Sequence, residues 1–277
     1  MNAPIPSNAY VMIIGAMKAG TSSLFRLLEQ HPAVCPSHAK EPEFFSRHQG
    51  HALELDRYES LYAFDAGVHR VCLEGSTGYT KFPEEMDVPQ RIKAYGLDPR
   101  FIYIVRNPID RVLSHLNYGA MNHHGWAADR LSAFHAVTFS MYHTQLDRFL
   151  ASFPDTERYF IADFEDLKTD PEGLARSIYA WLGLEPFEVQ TDARANVTPK
   201  RSVAELRLAQ SKLGRLRHVL PEGLRDRVKG LLRRHGTAAS LELTALERRQ
   251  LHAWLEPDMH ALADRFGFPV EKWGFER

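Results

Sequence analysis

The sequence predicts an α/β fold, in which a doubly wound parallel sheet is flanked by helices and followed by a helical C-terminal extension. Short apolar runs alternate with stretches whose apolar residues recur at helical spacing, a pattern that indicates repeated β–α units. The run Phe101–Val105 is continuous, as in a strand buried on both faces of a parallel sheet. We predict a single domain over 1–277, with a core of about 8–190 and a helical part of about 200–277.

The predicted elements follow in the order that such a sheet requires. The first strand is Val11–Ile14, and the helix Ser22–His31 after it ends at Pro32, because proline cannot continue a helix. Further strands are predicted at Val71–Leu73, Phe101–Val105 and Tyr159–Ala162, and further helices at Glu84–Tyr95, Pro108–Tyr118, Leu131–Leu150 and Pro171–Leu182. Ligands of a doubly wound sheet bind at the carboxyl ends of its strands, so the loops there are the candidate sites.

Length and charge exclude several classes of function. The 277 residues carry a formal net charge of −1, which argues against a general nucleic-acid binder. No apolar run is long enough to span a membrane and no secretory signal is visible, so we expect a cytoplasmic protein. The two cysteines, Cys35 and Cys72, form no metal-ligand pattern and are expected to be reduced and buried.

A glycine-bounded loop with one lysine follows the first strand. It reads Gly15-x-x-Lys18-x-Gly20-Thr21-Ser22. Glycines let backbone N–H groups converge on phosphate oxygens, a helix N-terminus favours an anion, and lysine adds a mobile charge. The Lys-Ser/Thr pair by which a triphosphate loop holds Mg²⁺ is missing here. We therefore expect a P-loop-like site for a ligand with a 5′-phosphate and without a metal, rather than an ordinary turn with a solvated lysine.

A second candidate anion site follows the strand Phe101–Val105. Arg106 comes directly after this strand and should project from its carboxyl end, while Ser114 lies eight residues on, within the next helix. The planar donors of arginine and the hydroxyl of serine suit one anion. Asp110 and Arg111, by contrast, are interpreted as helix-start capping and surface charge.

Together the two motifs resemble those of sulfotransferases that use 3′-phosphoadenosine 5′-phosphosulfate (PAPS). The segment Lys18–Leu24 is similar to their 5′-phosphosulfate loop, and Arg106 to Ser114 is similar to their Arg-x7-Ser motif for the 3′-phosphate. The nearest branch contains the heparan sulfate N- and 3-O-sulfotransferases and their bacterial relatives. Further similar stretches are Lys40–Ser46, Glu74–Tyr79, Phe164–Lys168, Trp181–Leu184 and Trp273.

The resemblance implies PAPS as co-substrate, with no metal. The implied nucleotide contacts are Lys18, Ala19, Gly20, Thr21, Ser22, Ser23, Arg106, Ser114 and, in a late loop, Lys200 and Arg201. Lys18 would also neutralise charge on the bridging oxygen as the 5′-phosphate leaves.

The resemblance also implies a catalytic base. The branch places its catalytic glutamate three positions before a Phe-Phe pair, which is Glu41 here. A carboxylate near the sulfuryl group could take the proton of the acceptor. Glu43 is the competing carboxylate, and without the resemblance Glu41 would be interpreted as a solvated loop residue.

The acceptor is less well defined by the sequence. Candidate contacts are Glu43, Ser76, Tyr79, His123 and His124. The heparan sulfate enzymes have a lysine where this chain has Gly75, so a second active-site lysine is in doubt, with Lys81 or a histidine as a replacement. A hydroxyl or amine of a small molecule, carbohydrate, lipid or natural product remains open, as does the oligomeric state.

The segment 200–234 is basic, with eleven Lys/Arg against three Asp/Glu. It is interpreted either as a solvated helical face or as a docking surface for an anionic acceptor or carrier.

The sequence thus predicts a PAPS-dependent sulfotransferase. The alternative is a P-loop nucleotide kinase or other phosphotransferase, which the position of the lysine in the glycine loop disfavours. An inactive nucleotide-binding partner is disfavoured because Lys18, Glu41, Arg106 and Ser114 are all present.

Overall fold

A parallel sheet of five strands forms the centre of the described structure. The computed structural model describes residues 4–46, 57–122, 130–191 and 241–276. The strands are β1 (Tyr10–Gly15), β2 (Val34–Pro36), β3 (Val71–Gly75), β4 (Arg100–Val105) and β5 (Tyr159–Asp163). Their order is β2-β3-β1-β4-β5, and each neighbouring pair is parallel. The predicted parallel α/β sheet is therefore confirmed.

Helices connect these strands. They are α1 (Thr21–Leu28), α2 (Val88–Ala94), α3 (Pro108–Asn122), α4 (Arg130–Thr138), α5 (Tyr142–Leu150), α6 (Phe164–Thr169), α7 (Pro171–Leu182) and α8 (Ala245–Phe266). Short 3₁₀ turns lie at Ser7–Ala9, Tyr58–Leu61, Thr77–Thr80, Thr156–Arg158 and Val270–Trp273.

Strand β1 is the middle strand and is completely buried, since its apolar side chains pack on both faces of the sheet. The chain turns from β1 to the β2–β3 side first and later to the β4–β5 side, so the strand order reverses around β1. The loops after β1, β3 and β4 consequently leave the same edge of the sheet, next to one another. This is where a doubly wound fold binds its ligands.

The single helix predicted over Leu131–Leu150 is wrong, because the chain forms α4 and α5 with a tight turn between them. In this turn Ser140 N–H donates to the carbonyl of Val137 at 2.8 Å, in place of the i→i−4 bond of a continuing α-helix. The Ser140 hydroxyl bonds the carbonyl of Ala136 at 2.9 Å. Strand β2 and helix α6 were not predicted, because three and six residues are too short for a clear periodic pattern.

Helix α8 joins the C-terminal part of the chain to the core. It begins with a capping box, in which Thr244 and Glu247 bond each other's backbone N–H groups. Further along, the buried carboxylate of Asp258 caps α5 by accepting from the N–H groups of His143 and Thr144, at 2.9 and 2.8 Å. None of the helices in the described ranges is long and apolar enough to cross a membrane.

The two cysteines lie side by side on neighbouring strands. Cys35 of β2 is in register with Cys72 of β3, and both are free and buried. Their prediction as buried thiols is confirmed.

Candidate active site

The loop between β1 and α1 presents backbone donors at the edge of the sheet. Gly20 has a φ of 93°, and a Cβ there would come within 2.9 Å of the Phe164 ring, so only glycine fits. The first bonds at the start of α1 are donated by Ser23 and Leu24 to the Gly20 carbonyl. The N–H groups of Thr21 and Ser22 precede them and point out of the helix end, as anion binding requires.

Lys18 lies within this loop and is directed towards α3. Its φ is 70°, and its ammonium lies 3.8 Å from the centre of the Tyr118 ring. Burial lowers the pKa of Lys18, as do the neighbouring Arg111 and Arg106, whereas Glu41 acts in the opposite direction. An anion bound beside this ammonium would remove much of the cost of burying it.

Arg106 connects the two β–α loops. It follows β4, as predicted, and its Nη1 donates to the carbonyl of Lys18 at 3.1 Å, while its guanidinium stacks 4.9 Å from the centre of the Phe164 ring. Its own carbonyl accepts from the Tyr142 hydroxyl at 2.8 Å. Ser114 is half-buried four residues before Tyr118, so it shares the face of α3 towards which Lys18 extends.

The two candidate carboxylates have different surroundings. Glu43 is buried, and its Oε1 accepts from Gly78 N–H at 2.8 Å while its backbone N–H donates to the Ser76 hydroxyl at 3.0 Å. Burial raises the pKa of Glu43, against the opposing effect of the Gly78 N–H. Glu41 is half-buried, and its carboxylate makes no hydrogen bond within the described ranges. Glu41 therefore has the freer carboxylate of the two.

Ser76 and Tyr79 support the segment that carries Glu41. Both are buried, and the Tyr79 hydroxyl accepts from Phe45 N–H at 3.3 Å. The Ser76 hydroxyl also donates to Glu74 at 3.3 Å. These bonds hold the 41–46 segment against the turn after β3, and a direct contact of either residue with an acceptor stays a prediction.

Glu74 on β3 is a buried carboxyl whose burial the sequence did not indicate. The side chain is inaccessible to water, and burial raises its pKa to about 8. The hydroxyls of Tyr58 and Tyr79 partly offset this shift. At neutral pH Glu74 is mainly protonated, so it can lie beneath the site without placing a charge there.

The interpretation of Arg111 as a surface charge is wrong. Arg111 is completely buried, and its guanidinium donates to the carbonyls of Met17 and Ala136 at 2.9 and 2.8 Å and to the Ser140 hydroxyl at 2.9 Å. Burial lowers its pKa to about 10. The guanidinium thus ties the glycine loop to the turn after α4. One feature of the sequence could have indicated this burial. Arg111 lies one helical turn before another polar residue on the apolar face of α3.

That polar residue is His115. Its Nδ1 lies 2.8 Å from an Arg111 Nη2 donor, and burial together with Arg111 and two lysines lowers its pKa to about 3. The imidazole is therefore neutral at physiological pH, with Nδ1 accepting the bond from Arg111.

Several predicted site residues lie outside the described ranges. They are His123, His124, Lys200 and Arg201, together with the rest of the basic segment 200–234. Within the described ranges, no group of three His, Cys, Asp or Glu side chains is placed to hold a metal ion.

The glycine loop with the N-terminus of α1, Arg106 beside it and Glu41, whose carboxylate makes no hydrogen bond to the described residues, form a P-loop-like candidate site, and comparison with known proteins identifies the family. The model of the sulfotransferase family matches residues 10–188. The chain belongs to this family.

Curated relatives and a solved structure agree with this assignment. Heparan sulfate glucosamine 3-O-sulfotransferase 6 of Mus musculus is 29% identical over 188 residues, which are 63% of this chain and 52% of the relative. Heparan sulfate glucosamine 3-O-sulfotransferase 5 of Mus musculus is 28% identical, over 68% of this chain and 57% of the relative. The chain thus spans about half the length of these relatives.

The fold is that of a crystal structure of a sulfotransferase from Alicyclobacillus acidocaldarius. The TM-score is 0.66 at 21% identity, and the alignment covers 98% of this chain and 100% of the other.

Proposed function

We propose that this protein transfers the sulfuryl group of PAPS to a hydroxyl or amine of an acceptor, with Glu41 as the base. The observation that carries the proposal is the bond from Arg106 to the carbonyl of Lys18, because it joins two anion-binding loops at one edge of the sheet. A ligand with phosphates at both ends of a ribose needs two such loops side by side.

The chain's own groups suit such a ligand. The N–H groups of Thr21 and Ser22 and the ammonium of Lys18 would bind the 5′ end, together with the rest of the segment 18–23. Arg106 and Ser114 would bind the 3′-phosphate. Lys200 and Arg201 are proposed to close over the nucleotide.

PAPS supplies an activated sulfuryl group and a phosphate leaving group. As the acceptor oxygen or nitrogen bonds to sulfur, the bond from sulfur to the bridging oxygen breaks and its electron pair leaves on the 5′-phosphate. Glu41 takes the acceptor proton, and Lys18 stabilises the charge that develops on the departing phosphate. The electrostatic effect of Glu41 on Lys18 supports this pairing of roles, since the two groups lie near each other.

The first acceptors to test are glucosamine-containing saccharides, because the relatives are named for glucosamine 3-O-sulfation. The protein would be incubated with ³⁵S-labelled PAPS and saccharide, phenol, lipid and host-extract fractions. We expect label in one acceptor class with the wild type and far slower labelling of that class with Lys18→Ala. Removal of one preorganised charge stabiliser should lower kcat by roughly 10²–10³-fold. Transfer by Lys18→Ala at the wild-type rate would contradict the proposal.

A further inference from the structure

The side chain of Lys18 ends on an aromatic ring of helix α3. Its Nζ lies 3.8 Å from the centre of the Tyr118 ring, well inside the limit of roughly 6 Å for a cation–π contact. Within the described ranges this ammonium makes no hydrogen bond and no ion pair. Tyr118 is half-buried, and burial strengthens such a contact because less water competes for the cation.

The backbone around Lys18 is fixed, so its side chain leaves the glycine loop in a set direction. Lys18 has a φ of 70°, which residues other than glycine adopt only where the surroundings hold them. Arg111 Nε donates to the carbonyl of Met17 at 2.9 Å. Arg106 Nη1 donates to the carbonyl of Lys18 itself at 3.1 Å. The loop therefore directs the lysine side chain towards α3.

The two arginines that fix the loop also disfavour a further positive charge beside them. Burial, Arg111 and Arg106 lower the pKa of Lys18, whereas Glu41 acts in the opposite direction. The face of an aromatic ring has a negative potential, so Tyr118 offsets part of this repulsion. A ring covers only one side of an ammonium group. It therefore holds the cation while N–H donors on the other side stay available for a ligand.

We propose that Tyr118 is a positioning residue of the transfer reaction, whose ring holds the Lys18 ammonium towards the departing 5′-phosphate; this rests on the function proposed above. A lysine that is already oriented stabilises the developing charge without reorganising during the reaction. Ser114 lies one turn earlier on the same helix. Helix α3 would then act at both ends of the nucleotide, through Ser114 at the 3′-phosphate and through Tyr118 and Lys18 at the 5′ end.

The test changes the electrostatic potential of the ring with little change in its size. Tyr118 would be replaced by phenylalanine and by mono-, di- and trifluorinated phenylalanines, since each fluorine withdraws electron density from the ring face. Tyr118→Leu removes the ring. Phe187→Leu is the control, because Phe187 is a 37% exposed ring without a cation over its face within the described ranges. The kcat and the KM for PAPS would be measured with the acceptor class that ³⁵S transfer labels.

We expect Tyr118→Phe to keep kcat within about two-fold and Tyr118→Leu to lower it by roughly three- to thirty-fold, as for the loss of a cation–π contact. The fluorinated rings should fall between these two values, in the order of their fluorine content. Phe187→Leu should have the wild-type kcat. The preference for 3′,5′-ADP over 5′-AMP in isothermal titration should be unchanged in every variant, because Arg106 and Ser114 are retained.

Three outcomes would contradict these expectations. A wild-type kcat in Tyr118→Leu, or equal kcat for all the fluorinated rings, would overturn the positioning role while leaving the proposed function intact. A loss of the preference for 3′,5′-ADP in Tyr118→Leu would show that the ring supports α3 as a whole, which would also overturn the positioning role. A wild type that binds 3′,5′-ADP and 5′-AMP equally would overturn the proposed function and the positioning role with it.

Discussion

Arg106 has a structural role and keeps donors available for a ligand. Its Nη1 donates to the Lys18 carbonyl and the plane of its guanidinium rests on Phe164, whereas the other guanidinium N–H groups make no bond to the described residues. A guanidinium has five donors in a rigid fork, so several remain for a phosphate. The side chain is already oriented before any ligand arrives, which reduces the entropy cost of binding.

Replacement of Arg106 by alanine should remove the preference for nucleotides that carry a 3′-phosphate over those that do not. Isothermal titration should show that the wild type binds 3′,5′-ADP much more tightly than 5′-AMP. Arg106→Ala should lose roughly ten- to a hundred-fold for 3′,5′-ADP and almost nothing for 5′-AMP. Arg100→Ala, at the opposite end of the same strand, should change neither affinity. Equal wild-type affinity for the two nucleotides would mean that the chain has no 3′-phosphate site.

Glutamine substitutions at Glu41 and at Glu43 should have different effects on kcat. Glu41→Gln preserves shape but not basicity, so kcat should fall by roughly 10²–10⁴-fold while 3′,5′-ADP affinity and Tm are kept. Glu43→Gln should stay active, because an amide oxygen can still accept from Gly78 N–H. Activity would be measured with the acceptor found by label transfer. If Glu43→Gln loses turnover and Glu41→Gln does not, Glu43 is the base.

At the scale of elements, the glycine loop depends on helix α3 and on the turn after α4. Arg111 on α3 bonds the carbonyl of Met17 in the loop and that of Ala136 in α4, and no acidic partner lies among its described hydrogen bonds. Backbone carbonyls therefore compensate the buried charge of Arg111. Through these bonds the guanidinium holds the glycine loop, α3 and α4 together.

Arg111→Met should weaken both the fold and the nucleotide site. Each buried carbonyl left without a donor costs about 1–3 kcal/mol, partly offset because the buried charge is also removed. We expect a lower free energy of unfolding in urea and weaker 3′,5′-ADP binding. Arg148→Met is the control, since Arg148 on α5 bonds only the carbonyl of Met86, at 3.1 Å, among the described groups. Unchanged stability and binding in Arg111→Met would show that the loop does not depend on Arg111.

The buried carboxyl of Glu74, near the C-terminal end of β3, should make stability fall as pH rises. The folded pKa of Glu74 is about 8 and its usual value is 4.5, so between these values the unfolded chain binds fewer protons than the native one. The free energy of unfolding should then fall by up to about 1.4 kcal/mol per pH unit from this group. Glu74→Gln should remove that slope in urea titrations at pH 5 to 8, whereas the exposed Glu188→Gln should keep it. Parallel pH profiles for wild type and Glu74→Gln would contradict the assignment of the buried acid.

At the scale of the whole molecule, nucleotide binding should stabilise the entire fold without a metal. The site is formed by loops from the centre of the sheet, so a ligand that binds only the native state shifts global unfolding. At a concentration of about 100 Kd, 3′,5′-ADP should add about 2.7 kcal/mol, and EDTA should not change this. ATP with Mg²⁺ should give no comparable shift in Tm. A shift with ATP and Mg²⁺ that EDTA abolishes would favour a phosphotransferase.

The sequence predicted the structure correctly where the relevant pattern lies within a few consecutive residues. The apolar run of β4 and the glycine spacing after β1 are properties of a few consecutive residues, and the parallel sheet and the meeting of Lys18 with Arg106 followed from them. It failed over Leu131–Leu150, because the break after α4 involves Arg111, which comes from a different helix.

By itself, the sequence determined the fold class, the order of most strands and helices, and the two β–α loops that carry the candidate site. It also determined the resemblance to sulfotransferases. The roles predicted for five residues still rest on that resemblance: Glu41, His123, His124, Lys200 and Arg201. Only the tertiary structure decided which charges are buried. Arg111, Lys81 and Glu74 are ordinary polar residues in the sequence, and they are buried because segments distant along the chain pack around them. Burial depends on contacts between remote segments, and no local pattern encodes those contacts.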